Sequence, residues 1–321
     1  QESLVGNHIQ SVIGIINGTC NYILTRMNEA GLDYLDALGE AKDLGYAEAD
    51  PTLDINGWDA AHKAIIIASL SYGSWVPCDR IHVEGIEKIQ KTDIEFASRL
   101  GYNIKLLEVR VQPSLINQDH ILASVKGVFN AIMVKGDVVG ETLFYGSGAG
   151  QDPTSSSVIA DIADAAMRID SNPGFITHEI YGTPLPIEES VSKYYLRVEA
   201  EDRPGVLARI ATALCVREIR ILSVMQPEDH DEAYAPIVLR TFRSRSRCDQ
   251  YHRRDGLRPR RASSPSHRRD QLSPTRPAPL RWKVVSRSDF TFPTLKIALV
   301  LSMQFVSTRG GSDPVSFYDA F

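Results

Sequence analysis

The feature that most constrains this chain is a break in its chemistry near residue 240. Residues 240–288 hold fourteen arginines among many serines and prolines, and no hydrophobic period of 3.6 or 2.0 runs through them. Such a stretch gives a core nothing to bury. The break is also electrical: residues 1–236 carry 18 Lys and Arg against 34 Asp and Glu, a net −16, whereas 237–321 carry 17 against 6, a net +11. Packing is therefore expected before residue 241, and 241–321 is expected to be disordered.

With 321 residues, 43% of them hydrophobic, the chain has material for about two domains. Its longest apolar runs, 64–70 and 297–301, fall far short of the roughly 20 residues a membrane helix needs, so no membrane partner is expected. Cys20, Cys78, Cys215 and Cys248 are scattered without a C-x-x-C pair, which argues against a zinc site or a disulfide framework and for a reducing, cytoplasmic setting. A start at Gln1, with no Met and no basic-then-apolar leader, reads as a fragment.

Periodicity predicts a mixed α/β (α+β) fold. A strand-like run over 9–16 leads through the turn Asn17-Gly18-Thr19 into a helix through Met27, which Gly31 stops. A second helix is expected over 33–44, and a long one over 56–72 whose apolar second half should be buried. Strand character follows at 104–111, 121–128 and 137–144. A glycine turn at 146–150 precedes a helix over 153–168, and a polar linker spans 171–186. Beyond it, 193–240 reads strand, turn, helix, strand, partial strand.

The densest polar constellation is Glu48, Asp50, Asp54, Asp59 and Lys63, beside Gly45, Pro51 and Gly57. Asp59 and Lys63 are four apart, so a helix puts them on one face with the acid first. Two readings are open. One is a surface ion pair; the other is a proton-transfer lysine, with burial disfavouring its ammonium and a neighbouring carboxylate favouring it. Spacing alone does not separate them. Asn17-Gly18 is, by itself, a good tight-turn pair. Gly146, Gly148 and Gly150 would let a backbone approach a ligand at a helix start, although they do not fit G-x-G-x-x-G.

The segment AKDLGYAEADPTLDINGWDAAHK (41–63) resembles the signature of homoserine dehydrogenases at every characteristic position. GIINGTCNYIL (14–24) is similar to a second hallmark of that family, and GSGAG (146–150) to a third. The resemblance covers about residues 3–240. It implies reduction of L-aspartate 4-semialdehyde to L-homoserine by hydride from NADP or NAD, on the route to threonine and methionine. It further implies that Lys63 is the acid/base, with Asp59 holding the reacting end of the substrate and supporting Lys63. Glu48 would bind the substrate amino group, Asp54 would lie in the same site and Thr19 would touch substrate. Asn17, Gly146, Gly148 and Gly150 would lie beside the cofactor. No metal ligand is expected among these residues. The family's Rossmann domain, with the dinucleotide fingerprint and a monovalent-cation site, is expected upstream of Gln1. A homodimer or homotetramer is implied, built on the catalytic sheet.

YYLRVEAEDRPGVLARIATAL (194–214) and IRILSVMQPE (219–228) resemble an ACT domain, a ferredoxin-like ligand-sensing module. That likeness implies threonine as effector, with Asp202 and Gly205 at the turn that meets it. The expected organisation is a catalytic domain over 1–178, a linker over 179–192, an incomplete ACT module over 193–240 and the disordered tail over 241–321. Residues 303–321 resemble the start of threonine synthase, so the tail reads as a frameshift with read-through. Phosphate neutralisation by the arginines is the rival reading, but no nucleic-acid partner is expected. An alternative for the whole chain is a regulatory or dimerisation fragment without catalysis.

Overall fold

The structure is a computed structural model, and it describes residues 4–73, 75–78, 81–108, 111–169, 192–216, 219–226, 234–243 and 297–306. The expected linker at 179–192 lies outside the described residues except for Ser192, and Cys248 and most of the arginine-rich tract also lie outside them. The architecture is mixed α/β, as expected. Strand β1 (Ile9–Ile15) enters α1 (Gly18–Ala30), then α2 (Tyr34–Asp43), a single turn α3 (Thr52–Ile55), and α4 (Trp58–Tyr72). After α5 (Lys91–Arg99) come the hairpin β2 (Tyr102–Glu108) and β3 (Val111–Asn117), a second hairpin β4 (Phe129–Gly136) and β5 (Gly140–Ser147), and α6 (Gln151–Met167). The second unit is β6 (Ser192–Glu201), α7 (Val206–Val216), β7 (Ile219–Met225) and β8 (Tyr234–Arg243), joined by β9 (Ile297–Val306).

Two sheets result. The first, in order β1-β4-β5, is antiparallel throughout. The second runs β2-β3-β9-β6-β8-β7. Helices α1, α2, α4 and α5 close over β2 and β3, with Ile23, Leu24, Met27, Ala37, Ala41, Ala60, Ala61, Phe96 and Leu115 in one core that reaches Tyr195 and Val238 of the second unit. A separate core, including Val206, Ile210 and Leu214, lies between α7 and its own strands.

The two units are also pinned by polar groups. Asp93, fully buried in the first turn of α5, accepts from the Gln90 backbone N–H at 2.9 Å, the Tyr195 hydroxyl at 2.7 Å and Arg197 Nε at 2.8 Å. Arg197 also donates to Glu199 at 2.8 Å. Buried charges persist only when paired in this way.

Four expectations need correction. The run read as a strand over 104–111 is split between β2 and β3, which pair with each other from Tyr102↔Asn117 to Glu108↔Val111. The run 121–128 opens with a 3-10 turn over Ile121–Ser124, because the His120 ring nitrogen accepts the Leu122 N–H at 3.1 Å and caps it; the strand starts only at Phe129. The apolar half of α4 buries Ala64, Ile65 and Ala68 but exposes Ile66 and Leu70, since a helix lying on a surface hides one stripe. The tail is not wholly outside the fold. Its apolar run pairs antiparallel with β6 and parallel with β3, filling the edge that β6 would otherwise leave with unpaired backbone groups. The order β9-β6-β8-β7 is that of a complete four-stranded split βαβ unit.

One surface is apolar and uncovered. Helix α6 buries none of its residues, and Val158, Ile159 and Ile162 on it are exposed, as are Phe144 and Tyr145 of β5.

Candidate active site

The site assembles where β1 ends. Its last residues hand over to Asn17, which caps α1: Asn17 is extended, and its Oδ1 accepts the Cys20 N–H at 2.8 Å. A capping side chain is thereby fixed in rotamer. Its other arm is then aimed, and Asn17 Nδ2 donates both to Asp54 Oδ1 at 2.8 Å and to Asp59 Oδ2 at 2.9 Å. Asn17 itself is buried.

The two carboxylates come from consecutive short elements. Asp54 lies in α3, whose backbone carbonyl at that residue also accepts from Cys20 Sγ at 3.2 Å. Asp59 lies in the first turn of α4, where a carboxylate suits the positive end of the helix. Gly57 makes the junction, at φ +88° in the left-handed region and with side chains of Val111 and Val83 only 3.1 and 3.2 Å from where its Cβ would stand. One turn on, Lys63 Nζ donates to Asp59 Oδ2 at 2.8 Å and to the Ile16 carbonyl at 3.2 Å. Asp59 and Lys63 keep 30% and 47% of their side-chain surfaces exposed, so the ammonium is held yet reachable by solvent or ligand.

Glu48 stands exposed on the loop between α2 and α3. Thr19 Oγ1 donates to the Tyr46 carbonyl at 2.7 Å, and Lys42 Nζ to the Ala49 carbonyl at 3.2 Å, so the loop is tied on both sides of Glu48. Asp50 turns back on the first residue of α3, and the hydrogen bond from the Thr52 hydroxyl holds its carboxyl below the usual range.

The glycine turn follows β5 as expected, with Gly146 still in the strand and Gly150 capping α6 at φ +114°. Gly148 has no room for a side chain: a Cβ there would stand 1.7 Å from Asn130 Nδ2. That amide donates in turn to the Ile16 carbonyl at 3.3 Å. Asn130 was not legible in the sequence, since it lies 114 residues from Ile16 in a strand of ordinary alternation.

In the second unit the turn at Asp202 to Gly205 opens α7, with Gly205 at φ +89° and an Asp202 carboxylate that accepts from Gln226 at 3.3 Å. It is remote in sequence from the cluster around Lys63. No group of three or more His, Cys, Asp or Glu is arranged to hold a metal ion among the described residues, and no described helix is long and apolar enough to cross a membrane.

Comparison with known proteins gives one answer throughout. The family model for homoserine dehydrogenase matches residues 1–163. The chain is 46% identical over 262 residues to homoserine dehydrogenase of Pseudomonas aeruginosa and 44% identical over 259 to that of Neisseria gonorrhoeae, covering 76% and 75% of this chain. A solved homoserine dehydrogenase from Thiobacillus denitrificans superposes with TM-score 0.67 at 41% identity, over 75% of this chain and 58% of that one. One from S. aureus gives 0.59 at 32% identity, over 78% and 63%. The chain spans about 60% of the length of the curated relatives it matches.

Proposed function

Because this chain belongs to the homoserine dehydrogenase family, we propose that it supplies the substrate half of an NAD(P)-dependent oxidoreductase that interconverts L-homoserine and L-aspartate 4-semialdehyde. The observation that carries the reading is the single hydrogen-bonded cluster Asn17, Asp54, Asp59 and Lys63. Lys63 is the proton donor to the carbonyl oxygen in reduction and the acceptor from the hydroxyl in the reverse direction. Asp59 keeps the ammonium aimed, Asn17 keeps Asp59 from swinging away, and Asp54 offers its second oxygen to the substrate hydroxyl. Glu48, with its carboxylate free on a tethered loop, receives the substrate ammonium.

The nicotinamide ring of a bound NAD(P) supplies the hydride. The residues here fit such a group: open space lies over Gly146, and the turn ends at a helix start. We assign the uncovered apolar surface of α6 and β5 to packing against the dinucleotide-binding part of the family's proteins and against a second copy of the chain. The unit built on β6 to β9 is assigned to binding an amino-acid effector such as threonine at Asp202 and Gly205.

The test is homoserine-dependent reduction of NADP and NAD, measured on this chain and on the same chain extended at its N-terminus by a dinucleotide-binding domain. Activity is expected in the extended form and lost in its Lys63→Ala variant. Full activity in Lys63→Ala overturns the reading, as does an extended form that binds cofactor but leaves homoserine unoxidised.

A further inference from the structure

We propose that Asn130 is the positioning residue for Lys63, acting through the carbonyl of Ile16. The inference rests on the reading of Lys63 as the proton-transfer group, but its geometry is testable without catalysis.

Strands β1 and β4 pair as far as Ile15↔Ala131. One step further the backbone leaves the ladder to become the cap of α1, and there the Asn130 side chain reaches the Ile16 carbonyl, its Nδ2 donating to Ile16 O at 3.3 Å. The same oxygen accepts from Lys63 Nζ at 3.2 Å, and a carbonyl with two lone pairs can serve both. The lysine therefore sits between two acceptors that are each held by an asparagine: Asp59 by Asn17, and Ile16 O by Asn130.

The orientation of the Asn130 amide follows from this donor. Its Oδ1 is buried without a hydrogen-bond partner, and native structures seldom leave such an atom without a reason. Rotating the amide by half a turn would set Oδ1 against the Ile16 carbonyl oxygen and remove the donor that fixes it. The far side of the amide is covered by Gly148, whose missing side chain is what leaves room, since a Cβ would stand 1.7 Å from Nδ2 and 2.3 Å from Cγ. The glycine turn and the lysine seat thus share one support. That explains on local grounds why a glycine at 148 belongs to the same site as Lys63.

The experiment is limited acylation of the intact chain with acetic anhydride at fixed pH, with the Lys63 peptide quantified by mass spectrometry against those of Lys88 and Lys91; only the free amine reacts. Asn130→Asp sets a carboxylate beside the seat and holds the ammonium, so Lys63 should acylate at least threefold more slowly. Asn130→Ala releases the Ile16 carbonyl, so Lys63 should acylate at least threefold faster. A residue that only fills space leaves Lys63 unchanged in both folded variants, and that result overturns the proposal. If the strand does not tolerate these changes, Gly148→Ala decides: it reaches Lys63 only by displacing the Asn130 amide, and a rate equal to wild type overturns the proposal. The two readings fail separately. An active Lys63→Ala enzyme would sink the proton-transfer role and leave these rates standing, whereas a flat series would sink the seat and leave Lys63→Ala inactive.

Discussion

Two contacts of the same length, between a cation and a carboxylate, sit in opposite surroundings. Lys63 meets Asp59 at 2.8 Å with both side chains about a third to a half exposed, whereas Arg197 meets Asp93 at 2.8 Å with 1% and 0% exposed. Distance does not distinguish them; water does. In the first pair screening leaves little net attraction, and the ammonium can exchange its proton with a ligand. In the second, the carboxylate is saturated by three donors and neither charge could be left alone without a large desolvation cost. One contact is open to a ligand, and the other holds β6 against α5.

The widest separation between the two should come from Lys63→Ala. Removing a positioned acid/base lowers the rate by roughly 10²–10⁴-fold, so kcat/KM in an active, domain-extended form should fall by that order while thermal unfolding of the chain moves by no more than an exposed pair allows, about 1 kcal/mol or less. A collapse of stability would mean that the exposed pair is structural after all. Asp93→Ala is the mirror image. It takes from the buried Arg197 guanidinium one of its two carboxylates and should cost about 3 kcal/mol in urea unfolding. A loss below about 1 kcal/mol would mean that water reaches the network and that the contrast drawn from burial fails.

The same contrast explains what the sequence made legible. Glu48, Asp54, Asp59 and Lys63 lie within sixteen residues, and the last two share α4 four residues apart, so helical geometry alone brings that pair together. Their contact was readable because local structure creates it. Asn17 read from its neighbours as a turn and from the resemblance as a cofactor contact; its bonds to Asp54 and Asp59, 37 and 42 residues away, left no local trace. Asp93 with Tyr195 and Arg197 left no local trace, being joined across 102 and 104 residues by the docking of a whole unit. The strand β9 was missed for a related reason: the arginine-rich text before it suggested that nothing beyond could pack, and its pairing depends on an open edge of β6 that no local pattern announces. The split of 104–117 into a hairpin was hidden because the sequence between Leu107 and Gln112 has no Gly, Pro, Asn or Asp to signal a turn.

A third cation sharpens the comparison further. Lys105 is buried in β2, donating to Asn21 Oδ1 at 2.8 Å and to the Val125 carbonyl at 2.5 Å. It has no carboxylate against it, and burial pulls its pKa down from the ordinary 10.5 to about 8. Below pH 8 both the folded and the unfolded chain hold this proton, and the cost of burying the charge is present in full. Between pH 8 and 10.5 the unfolded chain still holds the proton and the folded chain has released it, so this group makes stability rise with pH, by about 2 kcal/mol up to pH 10. Above pH 10 the buried hydroxyls of Tyr34, Tyr72 and Tyr195, pushed up by desolvation, oppose the trend. Urea unfolding at pH 7, 8, 9 and 10 should show the rise in the wild type and a flatter profile in Lys105→Met. Equal slopes in the two would mean that burial does not pull the Lys105 pKa down and that the folded chain keeps this proton up to pH 10.

The smallest effect is expected at Lys126, whose ammonium meets Glu29 at 2.6 Å on the surface, with 62% and 41% of the two side chains exposed. As an exposed pair it should contribute under about 1 kcal/mol, so Lys126→Ala should hardly change unfolding at pH 7. Its charge nevertheless acts on Lys105, which Glu29 raises and Lys126 lowers. Removing Lys126 takes away a like charge, moves the titration of Lys105 back towards 10.5, and so shrinks the gain in stability between pH 8 and 10. Glu29→Gln removes the opposite charge and should enlarge that gain. The two surface variants should therefore differ most at pH 7, where Lys105 is charged, and converge by pH 10, so that their gains over that range diverge from wild type in opposite directions. A divergence of the reverse sign would mean that the exposed pair does not act on the buried lysine through its charge, and a loss of several kcal/mol at pH 7 in either variant would end the distinction between exposed and buried ion pairs.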